Sequence, residues 1–261
     1  MSKCGRAVRA ILLSVTGALV IGCNPVPVSQ HALSDDHSSV PDDGLVGYWR
    51  QGDPQQPGKA EPDAVTMAIG RGPDGAQSLE IVGLEIDDAG RVRVRRAPLW
   101  TTQVEVQRGA SADGARRRLH LASIRLRDLE PEKKLTGYWL LLYEPAGPRR
   151  VKWYRMDPHT IAQAIESGSL AGKVRRNPRA GQPLKLFPNL VEPEFDEIQI
   201  TAKPDALRTY LSVTGAACFD MEQPLLELLK LSRPGSAAAR PNTAPVKPDP
   251  PPPAACSSPA D

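Results

Sequence analysis

The chain has 261 residues, enough for one sizeable domain or two small ones with a proper hydrophobic core. Its 21 Gly and 27 Pro are many, its aromatics few, and 40% of its residues are apolar. This composition excludes a coiled coil, a collagen-like repeat and a multi-pass membrane protein, and the apolar content argues against a wholly disordered chain. The formal charge is +3, but Lys3, Arg6 and Arg9 stand in the first 22 residues without a single acid. The remainder is therefore neutral, a poor match for nucleic acid, which needs a concentrated positive field.

Residues 1–22 read as a secretion signal: a basic start followed by the apolar run Ala10–Ile21, too short to span a bilayer. The run ends in Val20-Ile21-Gly22-Cys23. These residues resemble the lipobox of bacterial lipoproteins: an aliphatic residue at −3, a small one at −1 and the invariant Cys. The resemblance implies cleavage before Cys23, acylation of that residue and a membrane held through the lipid anchor. In that family Asp after the lipidated Cys favours inner-membrane retention, so Asn24 implies the outer membrane, on its periplasmic face. Residues 23–43 carry Pro25, Pro27, Pro41, several Ser and four Asp without an apolar period, and read as a flexible tether.

From Gly44 the apolar residues recur with period two, the strand signature. Strands are expected at Leu45–Arg50, Val65–Ile69, Gln77–Asp87, Val92–Arg95, Val104–Val106, Leu119–Arg127, Leu135–Tyr143, Val151–Met156 and Glu197–Ala202. Within Gln77–Asp87 the apolar phase switches beside Gly83, which suggests a bulge. In Arg91–Arg96 the alternation places Arg91, Arg93 and Arg95 on one outward face. Helices are expected late: after the cap Asp157-Pro158, over Pro204–Ser212, and over the leucine-rich Met221–Leu231. The fold class is mainly β (α+β): a curved antiparallel meander or lipocalin-like barrel of about eight or nine strands, with two or three short late helices. The domain spans 44–232, and the proline-rich 233–261 forms a disordered tail.

Gly47-Tyr48-Trp49, opening the first strand, resembles the Gly-x-Trp motif of lipocalins, in which the Trp closes one end of an eight-stranded barrel around a small apolar ligand. Leu45-Val46-Gly47-Tyr48-Trp49 is echoed by Leu135-Thr136-Gly137-Tyr138-Trp139. Trp49 and Trp139 are thus either core aromatics or ligand platforms. The phase of Leu45, Gly47 and Trp49 favours burial, with Gly47 leaving room for a neighbouring ring.

Other motifs are weaker. Gly70-Arg71-Gly72-Pro73-Asp74-Gly75 has the letters of a dinucleotide fingerprint but lies between strands, where no helix N-terminus can meet a pyrophosphate. The stretches Arg91–Arg96, Arg116–Arg118, Arg149–Lys152 and Lys173–Arg176 read as solvated faces. Cys218 and Cys256 can form a bridge or stay unpaired, and neither His120 nor His159 sits where it would activate a thiol. His31 and His37 fall in the presumed tether, and no ligand spacing marks a metal site or a cofactor. The acids Glu192, Glu194, Asp196 and Glu197 read as a loop charge run. The sequence therefore points to a lipid-anchored, non-enzymatic envelope protein that binds a small ligand or an envelope partner. An envelope-polymer hydrolase and a structural spacer are the alternatives.

Overall fold

The computed structural model describes residues 25–52, 66–73, 77–86, 92–107, 117–129, 135–184 and 187–231. Eight strands form a closed antiparallel barrel: β2 (Gly47–Gln51), β3 (Thr66–Arg71), β4 (Leu79–Ile86), β5 (Val92–Val106), β6 (Arg117–Arg125), β7 (Tyr138–Pro145), β8 (Arg150–Arg155) and β13 (Leu226–Lys230). Seven follow one another as a meander. The eighth, β13, zips between β8 and β2, and β6–β7 pairing completes the ring. The architecture is lipocalin-like, as the strand periodicity leads one to expect.

The same sheet continues beyond the barrel from β7. Its C-terminal half pairs with β8, but at Tyr138 and Trp139 its edge is taken by β1 (Val28–Ser29). β1 runs parallel to β12 (Phe195–Ile200), which pairs antiparallel with β9 (Gly172–Arg176). A small hairpin, β10 (Pro183–Leu184) and β11 (Phe187–Val191), stands apart. Helix α1 (Leu126–Leu129) buries both its leucines in the barrel core. Helices α2 (Pro158–Glu166) and α3 (Pro204–Thr214) fall close to expectation, with Asp157 accepting from Thr160 N to cap α2.

Alternation along β7 feeds two cores. Leu141 and Tyr143 point into the barrel with Trp49, Leu99, Ile124, Val151, Trp153 and Leu228. Leu140 and Leu142 point outward, into a core shared with Ile161, Ile198, Ile200, Leu207 and Leu211 of α2, β12 and α3. Among the described residues, the first of these clusters forms the hydrophobic core of the barrel.

Four expectations need correction. Residues 25–43 are not a tether. Val26 and Leu33 are buried, and the serines that made the segment look unstructured act as backbone partners. Ser39 Oγ donates to Thr101 O and accepts from Thr101 N, while Ser123 Oγ accepts from Leu33 N. The segment straps the wall and ends in a 3-10 turn, Asp43–Leu45, that drops Leu45 into the barrel core.

Met221–Leu231 is not a helix but contains β13. Its leucines satisfy a helical stripe and a strand face equally, and the open slot between β2 and β8 decides in favour of the strand. β4 has no bulge: Gly83 pairs in register with Met67 and Arg95. Its second apolar phase simply faces solvent, as does that of β5, so Leu84, Val92 and Val94 are 52%, 63% and 54% exposed. On the opposite phase Arg95 is half-buried rather than outward, and it donates through Nη1 to Leu129 O at 2.9 Å, tying α1 to the barrel; the side chains of Arg91 and Arg93 lie outside the described residues.

Candidate binding site at the barrel rim

Trp49 is 2% exposed and lies in the barrel core. Its Nε1 donates to Leu45 O at 2.7 Å, and the Lys230 ammonium stands 5.2 Å from the ring centroid. The space at Gly47 is filled by Lys230 rather than by a ring: a Cβ there would lie 2.6 Å from Lys230 Cε. Trp139 is half-buried against the same core, opposite Val28. Gly137, at φ +96°, has a different task from Gly47, because a Cβ would lie 2.7 Å from Ser29 O and 2.6 Å from Val28 Cγ1. It is the close approach that admits β1.

Near the same end of the barrel lies a polar cluster of residues far apart in sequence. Asp42 caps the 3-10 turn by accepting from Gly44 N at 2.8 Å through one oxygen. Its other oxygen accepts from Tyr143 Oη at 3.0 Å. His120 Nδ1 lies 3.9 Å from that oxygen, buried and without a hydrogen bond. The His120 ring tilts against Tyr143 at 5.5 Å, and Tyr143 in turn against Trp153 at 5.2 Å. Trp153 Nε1 is likewise buried and unpaired among the described residues. Burial, reinforced by the Asp42 carboxylate, holds the Tyr143 phenol protonated well above its ordinary range.

A cleft of about 350 Å³ opens here between β6 and β7, lined by Arg118, Leu119, His120, Leu142, Tyr143, Glu144 and Pro145. That is the lower end of small-molecule sites. Its lining offers a guanidinium, an imidazole and a carboxylate over an aliphatic floor, but no serine, threonine or cysteine. Such a set recognises a polar group by hydrogen bonding. Asp42 falls in the presumed tether, and no short motif links residues 42, 120, 143 and 153. Only tertiary structure brings them together.

The other candidates are placed as follows. Cys23 and Cys256 lie outside the described residues. Cys218 is a free, buried thiol that donates to Gly215 O at 3.2 Å, and burial pushes it up to about 12. Gly70 and Arg71 belong to β3, and Gly72 N closes a turn onto Ser78 O, so no helix follows the glycines. The acidic run is an ion-pair corner: Glu192 meets Arg179 at 3.2 Å, Glu194 meets Arg176 and His159, and Asp196 and Glu197 both meet Arg175 at 3.6 Å. No group of metal-ligating side chains occurs among the described residues. No protein-family model, curated protein or solved structure matches the chain.

Proposed function

We propose that this is a lipid-anchored, non-enzymatic protein of the cell envelope, held at the outer membrane through acylated Cys23, whose barrel is a binding module. The basic start, the apolar run and the lipobox-like residues support the anchor. The cleft found among the described residues lies at the barrel rim. One observation carries that reading: His120 Nδ1, buried and without a hydrogen-bond partner among the described residues, lines this cleft beside Tyr143 and Asp42. A buried polar atom without a partner is costly unless something completes it. The ligand is therefore a small polar molecule, or a polar group on an envelope partner.

The test is mass spectrometry of molecules that co-purify with the native protein, repeated on His120→Ala. The variant is expected to keep its fold by circular dichroism and to lose at least about 10-fold of the retained ligand. Equal retention by the variant would remove the rim site. A scaffold that binds an envelope protein is the second reading, favoured by the apolar stripe of Leu84, Val92 and Val94 on the bare wall.

A further inference from the structure

The place where the chain enters the fold fixes how near that fold can stand to its anchor. Val26 is 7% exposed, and Val28 is already locked into the sheet between Trp139 of β7 and Gln199 of β12. Three Cα steps separate Cys23 from Val26 and five separate it from Val28. At full extension these span about 11 Å and about 18 Å. A true tether of twenty residues would span on the order of 65 Å.

We infer that the domain lies directly on the bilayer surface, with the start of β12 and the end of β9 turned to the lipid headgroups. This rests on the reading that Cys23 carries the lipid. β1 runs parallel to β12, so the chain followed upstream from Val28 points back towards Phe195, where β12 begins. The surface there is the ion-pair corner, in which Arg175 faces Asp196 and Glu197 across β9 and β12. The charges of this corner are already paired with one another, so it neither strongly attracts nor strongly repels an anionic bilayer. The leash, not Coulomb attraction, sets the distance. In the barrel ring β3 lies four strands from β7, the strand that carries β1. β3 therefore lies across the ring from the strand nearest the anchor.

Neutron reflectometry on a supported phosphatidylethanolamine/phosphatidylglycerol bilayer tests this. The protein, from Cys23 to Asp261 with Cys256→Ser, is coupled through Cys23 to a maleimide lipid; the buried Cys218 thiol does not compete. The dense protein layer is expected to begin within about 18 Å of the headgroups. Twenty Gly/Ser residues inserted between Asn24 and Pro25, with a root-mean-square span of about 25 Å, are expected to open a hydrated gap. A native gap wider than about 18 Å overturns the inference. So does a profile unchanged by the insertion, which would mean that the domain adheres by its own affinity. Because the lipid is attached chemically, the outcome does not depend on cellular acylation. That reading fails separately, if acyl labelling persists in Cys23→Ala.

Discussion

Replacing Trp49 by Ala removes the side chain on which three elements converge. The indole is 2% exposed, its Nε1 is bonded to Leu45 O, and the Lys230 ammonium lies over its face. A buried Trp removes about 150–250 Å² from water, worth about 4–6 kcal/mol at about 25 cal/mol per Å². The methyl kept by Ala and the compactness of the unfolded chain reduce that to about 3–5 kcal/mol, the range found for such truncations. The lost hydrogen bond adds about 1 kcal/mol, and the lost cation–π contact about 0.5–1 kcal/mol. Trp49→Ala should therefore cost about 4.5–7 kcal/mol, a large share of the about 5–15 kcal/mol that holds most domains together. Trp49→Phe keeps a ring under Lys230 and forfeits mainly the bond to Leu45 O, for about 1–2 kcal/mol. Urea unfolding followed by far-ultraviolet circular dichroism measures both, since it does not depend on the deleted fluorophore. A loss below about 1 kcal/mol for Ala, or an equal loss for Phe and Ala, would refute the core role assigned to Trp49.

Gly137→Ala should cost about 2 kcal/mol or more, because the new methyl meets Ser29 O and Val28 Cγ1 at a positive φ. Faster hydrogen exchange at Gln30 N, which donates to Ile200 O, would show that β1 is the strand dislodged. Leu84→Lys and Val94→Lys should each change stability by less than about 0.5 kcal/mol in thermal unfolding, because both side chains face solvent. The Cys218 thiol is raised from 9.0 to about 12, so the folded state keeps a proton that the unfolded chain releases. Its contribution is complete below pH 9 and is lost as pH rises towards 12; Cys218→Ala should flatten that part of the stability profile. Tyr143 acts in the same sense from pH 10 upward, and Tyr143→Phe should remove its share of the slope in the same titration.

The barrel was legible because seven of its strands follow one another in sequence, so that local alternation and global topology agree, although the strands expected at Val92–Arg95 and Val104–Val106 are one fifteen-residue strand, β5. Where they diverge, the sequence misleads for identifiable reasons. Alternation reports two phases but not which one faces inward, and on β5 the exposed Val92 and Val94 beside a half-buried Arg95 reverse the usual assignment. Leu225, Leu228 and Leu229 fit a helical stripe while Leu226 and Leu228 fit a strand face, and only the slot between β2 and β8 chooses. The Ser- and Asp-rich stretch before Gly44 looks solvated because its apolar residues are sparse. Its Ser39, the Leu33 amide and Asp42 form bonds to Thr101, Ser123 and Tyr143 respectively, more than 60 residues distant in sequence. The rim cluster was illegible for the same reason. Trp49 was legible as a core residue, whereas Lys230 as the group that fills the space at Gly47 was not.

The position of β13 in the chain has a consequence for synthesis. The strand that shuts the ring is the last of the thirteen among the described residues, and its Lys230 must settle over Trp49 of the first barrel strand. A polypeptide emerging N-terminus first cannot close the cylinder until Lys230 is available, and contacts between such remote segments form slowly. Until then β2 and β8 each present an open edge. Under the lipoprotein reading proposed above, a precursor exported unfolded would profit from that delay: the unfinished barrel stays threadable, and closure waits until export is complete.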